Sequence, residues 1–275
     1  MRPLKRRISR REGVKKGVYL LPNLCTTASL FCGFFSVIKV LHGEFVTASW
    51  AILLAGVFDM FDGRLARLTR GGSQFGVEYD SLVDLASFGL APGILIYTWA
   101  LHHFSRLGWI VSFLFFACGA LRLARYNVQA DSVEYKYFQG LPIPMSAYVL
   151  ATAVIFYDGQ YGMLPVRNHW ILLLTFLLAL LMVSTVRYQS TKQWDLKSRL
   201  SFFALVGAAG VIAVIAWEPT IMMLLASLAY VASGPLEELY WWLRQGKRPE
   251  NIPVPKQPRS SLSLVATKQS TVDQK

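Results

Sequence analysis

Four aspartates sit inside or against apolar runs long enough to cross a bilayer. Asp59 and Asp62 interrupt one run, Asp80 and Asp84 open the next, and a Gly-containing connection, Arg70 to Gly76, lies between. A mid-helix aspartate costs roughly 2.5–3.5 kcal/mol even on a lenient insertion scale, so acids placed there mark function by default. At about 100° per residue Asp59, Asp62, Gly63 and Ala66 share one helical face, with Gly56 beside them, and Asp80, Asp84, Ser87 and Ala91 share another. The short connection makes the two helices antiparallel neighbours, so four carboxylates face one cleft lined by small residues. Like charges so close cannot all stay ionised without compensation, and a bound cation supplies it. All-oxygen ligands with no His or Cys nearby select Mg²⁺, Mn²⁺ or Ca²⁺ and disfavour zinc. Four acids suffice for a pair of ions roughly 3.5–4 Å apart, the arrangement that serves displacement at phosphorus.

The elements that must hold these acids are membrane helices. The chain has 275 residues, 54% hydrophobic and 16% charged, with mean hydropathy +0.39, which excludes both an ordinary soluble domain and a disordered chain. Apolar blocks at 23–41, 47–68, 82–101, 109–121, 141–157, 171–186, 202–217 and 221–242 give about eight transmembrane helices, an all-α polytopic bundle. The fourth and fifth blocks are short, so their helices continue through polar ends that face protein or water.

The formal charge of +12 comes from 28 Lys+Arg against 16 Asp+Glu. Basic residues crowd residues 1–16, alternate loops (Arg64, Arg67, Arg70; Arg122, Arg125, Lys136; Arg187, Lys192, Lys197, Arg199) and the C-terminal segment, while the other loops hold only Arg106 and Arg167. Because Lys and Arg stay cytoplasmic, both termini and the four acids are expected on the cytoplasmic side of the cytoplasmic (inner) membrane. Lys39 falls near the outer end of the first span, and all four histidines lie outside. Residues 1–16 read as a basic segment suited to anionic headgroups, 17–245 as the membrane domain and 246–275 as a disordered tail. Topology thus accounts for the basic excess, and nucleic acid is not an expected partner. Cys25, Cys32 and Cys118 lie in apolar blocks without metal-ligand spacing and read as buried thiols. Pro22, Asn23, Thr26 and Thr27 in the first block, with no cleavage site, make it a retained span rather than a signal peptide.

The acids also fall in a longer pattern. Asp59-Met-Phe-Asp62-Gly63-Arg-Leu-Ala66-Arg67, eight residues, Gly76, three residues, Asp80, three residues and Asp84 resembles without departure the signature of the CDP-alcohol phosphotransferase family. Tyr19-Leu-Leu-Pro-Asn-Leu-Cys-Thr26 and Arg122-Leu-Ala-Arg-Tyr-Asn127, followed by Phe138-Gln-Gly-Leu-Pro-Ile-Pro144, are similar to its phosphatidylserine synthase branch. The block 183–192 is similar to that branch more loosely.

The resemblance implies transfer of a phosphatidyl group from CDP-diacylglycerol to the hydroxyl of L-serine, with release of CMP, by a homodimer. It assigns Asp59, Asp62, Asp80 and Asp84 to Mg²⁺ or Mn²⁺, in two ions, and makes Asp84 the base. Gly63 and Arg67 then fall to the donor, with Gly63 and Ala66 leaving room and Arg67 reaching a phosphate, and Ser73 matches a donor-binding hydroxyl. For the carboxylate and ammonium of serine the candidates are Arg122, Arg125, Asn127, Tyr188 and Lys192. Pro142 and Pro144 set a helix start. A sister enzyme for glycerol phosphate or inositol phosphate shares the core pattern. A cation transporter also buries acids, but no acid here marks a path through the outer half.

Overall fold

The computed structural model describes residues 11–68, 74–130, 137–162, 168–189 and 218–244. Among them run helices α1 (Arg11–Leu41), α2 (Phe45–Leu68), α3 (Gln74–Asp84), α4 (Ala91–Trp99), α5 (Arg106–Ala130), α6 (Ile143–Tyr161), α7 (His169–Val183) and α8 (Pro219–Leu243). A π-helical turn, Leu85–Leu90, joins α3 to α4 without a break, so the two make one span. Five helical stretches are long and apolar enough to cross a membrane: Pro22–Leu41, Phe45–Leu65, Gln74–Trp99, Arg106–Val128 and Pro219–Leu243. Ile143–Asp158 and His169–Val183 are apolar but shorter. The protein is a polytopic helical membrane protein. The expected span at 202–217 and the tail from 246 lie outside the described residues, as do residues 1–10 of the basic segment.

Two features depart from the expected pattern. The first is a short antiparallel ribbon in which β1 (Tyr137–Gln139) pairs with β2 (Arg187–Gln189), Phe138 opposite Tyr188. It ends the sixth apolar block early: α7 stops at Val183, and the chain turns through Ser184 into β2. Gly140 N–H donates to Val186 O at 2.8 Å and Leu141 N–H to Leu181 O at 3.0 Å, fastening the start of α6 to the end of α7. Pro142 caps α6, with Pro144 in its first turn, where a missing N–H costs nothing.

The second departure is the π turn. Five residues per hydrogen-bonded step instead of four rotate everything after Asp84 relative to a regular helix. Ser87 and Ala91 therefore leave the acid face: both are buried, and Ser87 Oγ donates to Ser29 O of α1 at 3.1 Å. Gly33 of α1 lies directly against this turn, where an added Cβ would stand 2.8 Å from Ser87 Cα.

α1 and α2 pack against each other along their lengths, and α2 leans its other side on α6. Lys39 closes their turn with an ion pair to Glu44 at 2.9 Å, which holds the Glu44 carboxyl below the usual range. α3 rests on α1, while the rest of the same span, the π turn and α4, meets α2, so the expected pairing of the second and third spans holds. The core, with Ile52, Phe88, Leu95, Phe115, Leu150 and Leu178 fully buried, lies among α2, α4, α5, α6 and α7. Phe31, Phe34, Trp50, Leu54 and Leu177 point outward, as lipid contact allows. Cys32 and Cys118 are buried and Cys25 half-buried, all as free thiols.

Candidate active site

The acids meet as the spacing requires. Carboxylate oxygens of Asp59, Asp62 and Asp80 all lie within 4.8 Å of one another, at the wall where α2 faces α3. Asp84, one turn beyond Asp80 on the same helix, lies close enough to Asp59, Asp62 and Asp80 to share their electrostatic field. Asp62 is buried near Thr26 of α1, and among the described residues its Oδ2 has no hydrogen-bond partner. A buried carboxylate oxygen costs free energy when left unpaired, and here it is turned among other carboxylates instead of donors. That is the donor set a hard divalent cation fits, so the residues present suit Mg²⁺ or Mn²⁺.

Two helices far along the chain complete the surroundings. Arg122 of α5 is the one described cation whose charge acts on Asp84, and Tyr126 and Tyr230 lie within electrostatic range of it. Tyr148 of α6 reaches Asp59 and Asp84, its ring edge-on to Phe88 at 6.2 Å. Its hydroxyl passes over Gly56, where a side chain would collide with the ring. Tyr148 and Tyr230 were not singled out in the sequence, since each sits in a span whose own pattern is apolar, and Thr26 was named only within the first apolar block and the Tyr19–Thr26 stretch, with no role at the acids. Only the packing of α1, α6 and α8 brings them here.

Gly63 is exposed, and a Cβ built there meets nothing within 4 Å, so the space beside the acids is open where a donor nucleotide was expected. On the far side of the same helix Val57, Met60 and Phe61 are more than 40% exposed, so the acid cluster and an exposed apolar surface lie back to back. Arg67 occupies the last turn of α2. Ser73 and Lys192 lie outside the described residues.

The other serine-binding candidates separate. Arg122 stands at the acids. Arg125 is exposed on the last turns of α5. Asn127 Nδ2 donates to Ser81 Oγ at 3.0 Å, tying α5 to the helix that carries Asp80. Tyr188 is not on the cleft: it is fully buried, its hydroxyl donates to Val231 O at 3.1 Å, and its ring stacks on Tyr230 at 5.7 Å. Burial and that bond hold its hydroxyl, now shifted up to about 12, away from any small acceptor. Its place is the packing behind Tyr230.

Residues 19–186 match the CDP-alcohol phosphatidyltransferase family. The chain belongs to that family. Among curated members, the CDP-diacylglycerol–serine O-phosphatidyltransferase of Helicobacter pylori is 41% identical over 184 residues, 66% of this chain and 77% of the relative. The archaetidylserine synthase of Methanothermobacter thermautotrophicus is 35% identical over 61% of this chain and 69% of its own. Among solved structures, the Mycobacterium tuberculosis phosphatidylinositol phosphate synthase with CDP-DAG bound has TM-score 0.47 and 20% identity, over 62% of this chain and 86% of that one. As a CDP-alcohol phosphatidyltransferase the chain is an enzyme, and α8 and its Tyr230 lie beyond the stretch that defines the family.

Proposed function

We propose that this CDP-alcohol phosphatidyltransferase is a CDP-diacylglycerol–serine O-phosphatidyltransferase. The observation that carries the reading is the convergence of the Asp59, Asp62 and Asp80 carboxylates, in a chain 41% identical to an enzyme of that name. Asp59, Asp62 and Asp80, with Asp84 beside them, would hold Mg²⁺ or Mn²⁺, in two ions. Bound there, the ions would neutralise the donor's pyrophosphate and the charge that grows on departing CMP.

The chain's own groups do the rest. Asp84 accepts the proton of the serine hydroxyl as that oxygen forms a bond to the phosphorus bearing diacylglycerol. The bond from that phosphorus to the CMP oxygen breaks, and CMP leaves with the electron pair. Arg122 supplies positive charge beside Asp84, and Tyr148 limits the movement of Asp59 and Asp84. The open surface at Gly63, with Arg67 a turn beyond and Ser73 in the connection, takes the nucleotide. Arg122, Arg125, Asn127 and Lys192 remain the groups for serine.

The charge pattern supports eight spans with both termini and this cleft on the cytoplasmic side of the inner membrane, where CTP-derived donor and serine are both present. The enzyme is read as a homodimer. The experiment is a detergent-solubilised preparation given CDP-diacylglycerol, Mn²⁺ and a panel of L-serine, glycerol 3-phosphate and inositol 1-phosphate. CMP release is expected with L-serine, and a preference for either phosphorylated alcohol would refute the reading.

A further inference from the structure

Arg122 is the one described cation set against the acids, and its Nε is buried without a hydrogen-bond acceptor. A guanidinium presents a planar fork of donors, and leaving part of it desolvated and unpaired is costly. Asp84, Tyr126 of α5 and Tyr230 of α8 lie within electrostatic range of the group, and Asp84 is the one carboxylate among them. The fork thus has room for one more acceptor, and the acceptor that suits it is an oxyanion.

Tyr230 is held there by a chain of packing. Its ring stacks on Tyr188 with the planes 23° apart. Tyr188, wholly buried, donates to Val231 O on the same helix, and its ring lies where any Cβ on Gly234 would strike it at 2.6 Å. β2, which carries Tyr188, is paired to β1, so the ribbon fixes Tyr188 and Tyr188 fixes α8, the helix that brings Tyr230 within electrostatic range of Arg122.

We propose that Arg122 binds the carboxylate of the acceptor amino acid, and that Tyr230 of α8 is a positioning residue for that guanidinium. The assignment rests on the reading of the chain as a serine phosphatidyltransferase. It places the carboxylate on the Arg122 fork and the acceptor hydroxyl toward Asp84, so the group that recognises serine adjoins the group that takes its proton. It also locates selectivity for the alcohol at the seam between the family-defining stretch and a helix that lies outside it, which leaves the acids free to be common to enzymes with different acceptors.

The test uses purified full-length enzyme with CDP-diacylglycerol and Mn²⁺, and measures CMP release with L-serine, with L-serinamide, which lacks the carboxylate, and with glycerol 3-phosphate. Wild type should favour L-serine over L-serinamide by about tenfold or more in kcat/KM, the range of one charge-assisted bond. Arg122→Gln should erase most of that preference and raise KM for serine about tenfold while KM for CDP-diacylglycerol stays within about twofold. Arg122→Lys should recover part of it, because the charge returns without the fork. Tyr230→Phe should raise KM for serine several-fold with kcat little changed. Equal use of L-serine and L-serinamide by wild type, which needs no variant to fold, would overturn the proposal; so would an Arg122→Gln enzyme that keeps the wild-type preference. Preference for glycerol 3-phosphate over L-serine is a different outcome: it refutes serine as the acceptor and, with it, the carboxylate assigned to Arg122. Poor use of all three acceptors with intact donor hydrolysis likewise refutes the functional reading and, with it, the carboxylate assigned to Arg122, whereas a loss of the serine-over-serinamide preference alone overturns only the assignment.

Discussion

Asp84 and Asp59 share one acidic cluster, yet they are expected to do different work, and removing each charge should tell them apart. Asp84→Asn should leave CDP-diacylglycerol binding largely intact, because Asp59, Asp62 and Asp80 still converge. It should cost at least ~10²-fold in serine-dependent CMP release, the lower range of a positioned base. Asp59→Asn and Asp62→Asn should abolish turnover and weaken its dependence on added metal, since an amide is a poorer ligand and brings no charge. Activity should vanish in excess EDTA and return with Mn²⁺ or Mg²⁺; full turnover in the chelator would remove the metal from the account. Gly63→Ala offers a cleaner probe of the donor surface. The new methyl meets nothing within 4 Å among the described residues, so melting should hold while KM for CDP-diacylglycerol rises. At this scale the sequence spoke plainly about the acids, whose spacing alone puts them on shared faces. It was silent about the place of Thr26, Tyr148 and Tyr230 around them, because a polar residue in an apolar span carries no sign of which neighbour it will meet.

The element that positions Asp80 and Asp84 is bent to its purpose by the π turn that follows. A regular continuation would have carried Ser87 along the acid face; the wider turn sends it to α1 instead, where Ser29 O accepts its hydroxyl. Such a turn has no compositional signature comparable to a proline, which is why helical periodicity foretold the acids correctly and Ser87 and Ala91 incorrectly. Gly33 lets the two backbones close. Gly33→Ala would set a methyl 2.6 Å from Ser87 Oγ and push α1 away from the turn. Overpacking of this kind typically costs about 1–3 kcal/mol, so the melting temperature in detergent should fall. Turnover should fall further than stability explains, because the displaced turn begins at the residue after Asp84. An unchanged melting temperature would mean that the contact is not a constraint. The ribbon was equally hidden: three-residue strands at a loop are too short for alternation to register.

For the molecule as a whole, orientation is the matter to check. In a background without native cysteines, Gln74→Cys should react with an impermeant maleimide only from the cytoplasm, and His103→Cys only from outside; both side chains are exposed. Reversal of the two would turn the acid cleft away from its water-soluble substrates. Most of the span pattern was legible because hydropathy reads burial in lipid directly, whereas which helices touch is decided by side-chain fit, and the seat of α3 on α1 had no sign in the sequence. One property of α2 reaches beyond the fold. Acids on one side and exposed Val57, Met60 and Phe61 on the other mean that a nucleotide and its two acyl chains can be held without leaving the leaflet. The enzyme would then meet its donor as a two-dimensional solute, and the variable that governs its rate is mole fraction in the bilayer. In vesicles of fixed total CDP-diacylglycerol, adding inert phosphatidylcholine should slow CMP release in proportion to the dilution of the surface, although the bulk concentration of every reactant is unchanged.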